Sequence, residues 1–442
     1  MKHKYLLLSA LAFCINICNA QQDTLKVITY NVLGYGDGCQ GPNNTMHAYL
    51  KTIILYEHPD LMGLVKMQIQ NQFADSVLKL AMNASYPGEY NYCTYTNVSH
   101  SNNMDLLLYN QNKLGFVSIT TLTTIQEDFD LFKLYYKDPF LSTTHDSTFI
   151  YVVLCHTVSG SISTQRDQQD SAVEKALAKI FYHLPNLIYM GDFNTRNSGE
   201  PGYHFLTNNP DTNFMLSDPP FSPDSILHTP INWDNNPTLA ATELTTTTRL
   251  STTVPNSCGT GGGGKDWYDH ILLSSWITNN IDYVHYIKGS YKTIGNNGAR
   301  VGISINDTTT YKNTSVPPNV LNALFNFSDK YPVTVKLAIN FDSSGKGPVN
   351  PVVNGINKIT PMQEFIGVSN PIYNSITIHF PSELIGQKVN MAWYDICGRQ
   401  LCAEECVITN NVLNRTTHFI PGIYLLHIQI GSYCVTKKIA QE

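Results

Sequence analysis

The residues best suited to chemistry stand where apolar runs end, at points from which a strand can deliver a side chain to a cleft. Gly191-Asp192-Phe193-Asn194 follows the apolar run Leu187-Ile188-Tyr189-Met190, so a carboxylate and an amide leave one strand together. His156 follows the run Phe149 to Leu154, and Asn31 follows Leu25 to Tyr30. Asp269 precedes Ile271-Leu272-Leu273, and the pair Asp329-Lys330 precedes Val333 to Leu337. Lys66 closes Leu61 to Val65. Carboxylates, amides and an imidazole are the equipment of assisted hydrolysis. Taken singly, each has an ordinary reading: Gly and Asn suit any strand-to-loop turn, and a lone histidine commonly serves a core or a surface. The joint order is what carries information.

That order resembles the endonuclease/exonuclease/phosphatase family, the metal-dependent hydrolases related to pancreatic DNase and neutral sphingomyelinase. The matching pieces are Thr29-Tyr30-Asn31, Pro59-Asp60-Leu61-Met62-Gly63-Leu64-Val65-Lys66, His156 and Gly191-Asp192-Phe193-Asn194. Tyr268-Asp269-His270-Ile271-Leu272 and Ser328-Asp329-Lys330-Tyr331-Pro332-Val333 complete them. The resemblance implies a DNase I-like, four-layer α/β sandwich of two β-sheets flanked by helices. It further implies that Asp192 holds the attacking water, with Asn194 orienting that water and the phosphate. His156 would donate to a phosphoryl oxygen, Asp269 would support the geometry, and Asp329 would orient the family histidine. Asn31, His156 and Asn194 become the phosphate-binding set, and Asn31, Asp192 and Asp329 the metal-binding set. Mg²⁺ or Mn²⁺ is the implied cofactor if the protein is active, and none is implied if it is not.

Two positions depart from that pattern. Lys66 stands where the family places a metal-binding Glu, and Lys330 where it places the catalytic His. A protonated lysine offers no lone pair to a hard cation and repels it. It also lacks the two-nitrogen geometry by which one side of an imidazole is oriented while the other acts. The expected outcome is hydrolysis weakened or lost, with Lys66 turned toward Asp192 or Asp329 to balance their charge. The alternatives are an active nuclease, sphingomyelinase-like phosphodiesterase or phosphatase with a modified site, and a surface adhesin or binding protein. The neighbouring His270 is expected to face the adjacent layer, since consecutive strand residues point to opposite sides.

The 442 residues suffice for one large core and a smaller domain. A formal charge of -6 removes any global basic field for gathering nucleic acid. Residues 1–20 read as a signal peptide, with Lys2 and Lys4 before an apolar run too short to span a bilayer and Cys18-Asn19-Ala20 at the cleavage positions. Eight cysteines remain after it, an even number that permits disulfides without fixing their pairing. The Cys397/Cys402/Cys406 group fits a disulfide or buried thiols better than zinc.

Residues 21–339 form the hydrolase-like domain in this reading, and a Gly/Pro/Asn-rich linker covers 340–365. Helices are expected over His47–Tyr56, Gln68–Met82 and Arg166–Phe181. Between Thr195 and Lys265 regular patterning weakens around Thr245-Thr246-Thr247-Thr248 and Gly261-Gly262-Gly263-Gly264. Such a stretch reads as an insertion beside the site, either a variable surface loop or a recognition element. Residues 366–442 resemble the small β-sandwich sorting domain of Bacteroidetes type IX secretion substrates. The features are Asn370-Pro371, Tyr394-Asp395-Ile396-Cys397-Gly398-Arg399, Pro421-Gly422-Ile423-Tyr424 and the terminal Lys437-Lys438. The resemblance implies a secreted or outer-surface product after periplasmic export, with the type IX machinery as a partner. The remaining implied partners are a phosphate-containing small molecule, nucleic acid or a phospholipid headgroup, with no obligate protein partner.

Overall fold

The computed structural model describes residues 22–221, 232–234, 237–252, 258–309, 311–342, 366–380, 384–396, 398–430 and 433–442. The signal peptide and most of the expected linker lie outside the described residues. Two compact units divide the chain, Met1–Asn350 and Pro351–Glu442.

In the first unit, strands β1 (Gln22–Tyr35), β2 (Leu61–Gln68), β3 (Tyr90–Tyr92) and β4 (Asn103–Asn110) belong to one sheet. Strands β5 (Leu114–Thr123), β6 (Phe129–Tyr136), β7 (Phe149–His156), β8 (Leu187–Asp192), β9 (Leu216–Ser217) and β10 (Asp269–Ser274) make the second. The chain then returns to the first sheet as β11 (Val284–Tyr286), β12 (Lys292–Thr293) and β13 (Val333–Asn340). The first sheet runs β11-β13-β1-β2-β4-β3, with β12 also on β13; the second runs β5-β6-β7-β8-β10-β9.

Alternation along the strands builds the layers. Leu25, Val27, Val333 and Val335 of the first sheet meet Val152, Leu154, Ile188 and Ile271 of the second in one shared core. The opposite face of the first sheet, with Ile28, Tyr30 and Leu64, packs on Leu50 and Ile54 of the helix Asn43–Glu57 and on Leu324 of the helix Pro318–Phe327. The outer face of the second, with Val153, Leu187 and Tyr189, packs on Val173 and Leu177 of the helix Ser163–Ile180. The result is a four-layer α/β sandwich.

Two parallel pairs decide where the chemistry lies. The helix Asn43–Glu57 crosses over between β1 and β2, and Ser163–Ile180 between β7 and β8. Parallel strands present their carboxyl ends at one edge. The antiparallel neighbours β13 and β10 begin at that edge, which brings residues 329–330 and 269 to the ends of β1 and β8.

The expected helix over Gln68–Met82 differs in detail. Gln68 closes β2, an α-helix spans Asn71–Ser76, and Val77–Met82 widens into a π-helical turn. Phe73, Val77 and Ala81 are nevertheless the buried face.

The second unit is all-β. Strands β14 (Gly367–Val368), β15 (Ser375–His379) and β18 (Val412–Thr416) form one antiparallel sheet. Strands β16 (Lys388–Asp395), β17 (Gln400–Val407), β19 (Gly422–Ile430) and β20 (Tyr433–Gln441) form the other. Ile376 and Ile378 from one sheet and Val389, Met391, Leu426 and Ile428 from the other share a core, making a small sandwich. Cys402 is an exposed free thiol and Cys406 a half-buried one, so neither fits the expected disulfide; Cys397 lies outside the described residues.

Candidate functional site

Asp192 ends β8 with His156 as its register partner on β7 and Asp269 on β10. Gly191 makes that approach possible. Its φ is +148°, and a Cβ there would stand 1.9 Å from the Cys155 carbonyl oxygen. The Asp192 carboxylate accepts from Asn31 Nδ2 at 2.7 Å across the two sheets and from the Asn194 backbone N–H at 2.9 Å. Asn31 Oδ1 in turn accepts from the Leu33 N–H at 2.9 Å, and Asn194 Nδ2 donates to the Thr157 carbonyl at 2.8 Å.

Lys330 completes this centre. Its Nζ lies 3.8 Å from Asp192 Oδ2, 3.4 Å from Thr246 Oγ1 and 5.3 Å from the Tyr268 ring centroid. Burial works against the charged amine, but Asp192, Asp329, Asp269 and Asp266 outweigh it and raise the Lys330 pKa. Burial pushes Asp192 upward too, yet Lys330, His156 and the two hydrogen bonds hold it below the ordinary carboxylate value. Lys330 is therefore a fixed ammonium and Asp192 a fixed carboxylate.

Asp269 behaves in the opposite way. It is fully buried, and burial followed by the Asp192 charge pushes its pKa well up against the opposing effects of Lys330 and of a hydrogen bond with Thr245. An acid raised in the fold costs stability once pH exceeds its unfolded value of about 4, and the cost grows until the folded value is reached. Asp269→Asn removes that penalty. The variant should gain stability relative to the parent between pH 4 and pH 8, read from denaturation midpoints at both ends. A relative loss at the alkaline end would show that Asp269 is ionised in the fold.

Within the Thr- and Gly-rich insertion, one stretch departs from the expected variable surface loop. Thr245, Thr246, Thr247, Thr248 and Arg249 are all buried. Their backbone is satisfied by Asp266, Gly263, Asp329 and Tyr331, and Thr248 Oγ1 donates to the Ser328 carbonyl. Threonine hydroxyls and tertiary backbone bonds replace the regular ladder that the sequence lacks. Beyond it, a Cys39–Cys258 disulfide ties the insertion to the loop after β1. Directly after Cys258, Thr260 donates to Asp329 Oδ2 from its N–H at 2.7 Å and its hydroxyl at 2.9 Å. Gly259 fits only because it has no side chain, since a Cβ would lie 2.7 Å from that same oxygen.

Lys66 does not take the expected position. It sits at a bulge in β2 with φ +59°, and its backbone N–H donates to Asp105 Oδ1 at 3.3 Å. Among the described residues its ammonium has no hydrogen bond or ion pair with Asp192 or Asp329; Lys330 alone approaches Asp192. The left-handed backbone turns the side chain out of the regular strand alternation. His156 pairs through Nδ1 with Glu127 at 3.3 Å, a partner with no signal in the sequence. His270 faces the outer layer, against Trp267 and 2.8 Å from Asp218.

These donors do not fit a hard divalent cation. Asn31 directs its oxygen to a backbone N–H and its amide to Asp192, Asp329 is engaged by Thr260, and an ammonium flanks Asp192. Among the described residues, no group of three or more His, Cys, Asp or Glu is arranged to hold a metal ion.

The second unit has the strand pattern and the length of a small export module. Residues 370–442 match the model of a secretion system C-terminal sorting domain. The match begins just before β15 and takes in the whole four-stranded sheet of the sorting domain. No curated protein matches the chain. Among solved structures, the human nocturnin catalytic domain with bound sulfate is similar at 16% identity, covering 72% of this chain and 97% of its own, with a TM-score of 0.42. An endonuclease/exonuclease/phosphatase family protein of Bacteroides thetaiotaomicron is similar at 13% identity, 73% and 97% coverage and a TM-score of 0.43. The mannosyl-6-phosphatase of the same organism gives 14% identity, 71% and 99% coverage and a TM-score of 0.41. These are distant likenesses; the four-layer arrangement rests on the strand registers and core clusters.

Proposed function

We propose that this is a secreted or surface protein built on a phosphodiesterase-like scaffold, in which metal-dependent hydrolysis is weakened or lost. The observation that carries the reading is the Lys330 ammonium, held 3.8 Å from Asp192 in the midst of the acidic centre. An ammonium fixed there supplies charge balance, but no Lewis acid and no bound water to ionise. Nor can it act as a base, because its neighbours raise its pKa. The acids around the family histidine's position persist without it: burial and the Asp192 charge push the Asp269 carboxyl upward, and Asp329 Oδ2 accepts from Thr260.

Residual recognition of a phosphate ester falls to His156, oriented by Glu127, and to the remaining N–H groups of Asn31 and Asn194. Phosphate binding alone does not cleave a bond, since catalysis requires stronger binding of the transition state than of the ground state. The substrate class is a phosphate ester on a small molecule, a nucleic acid or a lipid headgroup. Export through the type IX machinery follows from the sorting-domain match. Among the described residues no helix is long and apolar enough to cross a membrane.

The test is direct. Purified mature protein, given Mg²⁺, Mn²⁺ or Ca²⁺ with nuclease, sphingomyelinase and phosphatase substrates, should show no metal-stimulated turnover. Robust turnover that disappears in Asp192→Asn would overturn the proposal in favour of an active enzyme with a modified site.

A further inference from the structure

A second feature lies on the outer face of the first sheet, away from the acidic centre. The strand register builds it. Lys26 of β1 pairs with Lys336 of β13, and Ile28 with Thr334. Lys292 of β12 pairs with Thr334 from the other side. Cross-strand partners share a face, and Ile28 packs with the helices rather than between the sheets. Lys26, Lys292 and Lys336 therefore project from one face around Thr334. Lys330 and Lys336 are six positions apart, which places this group roughly 20 Å along the strand from the acidic centre.

These side chains line a cavity of about 850 Å³, whose lining also includes Tyr56 and Tyr291. The fourth cation, Lys288, comes from the turn between β11 and β12. That turn is pinned to β13, because Ile287 donates its N–H to the Lys336 carbonyl and Ser290 Oγ accepts from the Lys336 N–H. The frame is thus formed by sheet hydrogen bonds.

Charge is distributed unevenly around the cavity. Its acids are Glu57 and Glu243. Glu57 is engaged by Lys26 at 3.2 Å. Burial pushes the Glu243 carboxyl upward, and its Oε1 already accepts from Thr242 Oγ1. Lys292 and Lys336 are exposed, and neither ammonium has an ion pair or hydrogen bond among the described residues. In a chain of formal charge -6, this leaves a concentrated positive pocket. Its volume lies within the range of small-ligand sites, about 300–1,000 Å³.

We propose that this cavity binds a small organic anion bearing at least two phosphate or sulfate groups. Lys292 and Lys336 supply the charge, and the Tyr56 and Tyr291 rings in the lining offer apolar surface to the organic portion. The site is independent of the acidic centre and of whether that centre turns over. Lysine suits it as a compact, flexible point charge for oxyanions.

The test is calorimetric titration of the full mature protein with tripolyphosphate in one arm and a disulfated disaccharide in the other. Binding of either probe, weakened by raising ionic strength from about 0.05 M to about 0.3 M, is the expected result; the stronger arm identifies the ester. Lys292→Glu/Lys336→Glu changes two exposed side chains and should reduce affinity by about tenfold or more, with an unchanged circular dichroism spectrum and melting temperature. As a second variant, Lys292→Gln/Lys336→Gln should lose less. No binding of either probe at about 10 mM, or equal binding by the parent and the Glu variant, would overturn the proposal.

Discussion

Lys330→Met is expected to destabilise the first unit by about 3–5 kcal/mol at neutral pH, the usual result of removing one partner from a buried ion pair. The Lys330 side chain is 10% exposed and Asp192 1%, so solvent cannot replace the lost ammonium. The pH dependence carries the sign. In the parent, Asp192 lies below its ordinary value, so its stabilisation is present above the unfolded carboxylate pKa of about 4 and is lost as pH falls through the folded value. Lys330 lies above its ordinary value, so its stabilisation is complete below the unfolded amine pKa of about 10 and is lost as pH rises through the folded value. Without the ammonium, burial acts on Asp192 with less opposition. The variant's deficit should therefore be largest near pH 7 and shrink toward pH 4 as the carboxylate takes up a proton. Urea midpoints at pH 4.5 and 7.5 measure it. Equal stability at pH 7.5 would mean that the ammonium does not support the fold.

The second large effect is a gain. Lys66→Glu together with Lys330→His should create divalent-cation binding and raise phosphoesterase turnover by about 10²-fold or more over the parent, the scale of positioned acid–base catalysis. An imidazole at position 330 would replace the ammonium on which the charges of Asp192, Asp329 and Asp269 act. A carboxylate at position 66, whose backbone N–H donates to Asp105 Oδ1, would replace a cation-repelling ammonium by an oxygen donor. Each single variant repairs one half of the mechanism and should fall well short of the pair. Mn²⁺ titration and initial rates across the four proteins separate the outcomes. Metal binding without turnover would place the remaining defect at Thr260, which holds Asp329. A parent that is already active, and whose rate falls in the double variant, would reject inactivation and reveal a lysine-based reaction.

Sequence reasoning located the centre through strand ends. The apolar runs before Asn31, His156 and Asp192 are β1, β7 and β8, and their carboxyl ends do meet. Charge balance was legible in kind but was assigned to the wrong residue. Lysine at positions 66 and 330 announced a cation among acids, whereas the bulge that diverts Lys66 depends on β2 pairing with both β1 and β4. The helix Pro318–Phe327 had a readable signal, with Pro at its start and Val320, Leu321 and Leu324 at core spacing. Strands β5 and β6 were harder to read, since β5 is an edge strand with only one buried residue. The buried threonine run was not legible at all. Its hydrogen bonds come from Asp266 and Asp329, and local composition cannot report a partner distant in the chain. The Cys39–Cys258 bridge was hidden for the same reason, its two ends being 219 residues apart.

Strand β13 lies between β1 and β11, so the first sheet is completed by the last strand of the unit. A ribosome must therefore synthesise this unit almost to its end before β1 acquires its second neighbour. Lys330 emerges just ahead of that strand, so the counter-charge for Asp192 arrives with the keystone. Any shortened chain ending before Lys330 would lack both, exposing an unpaired strand edge and an uncompensated acidic pocket together. Proteolytic detachment of the export module is consequently safe only downstream of Asn340. A cut there leaves every strand of both sheets in place, whereas a cut a dozen residues earlier would remove β13 and part β1 from β11 and β12.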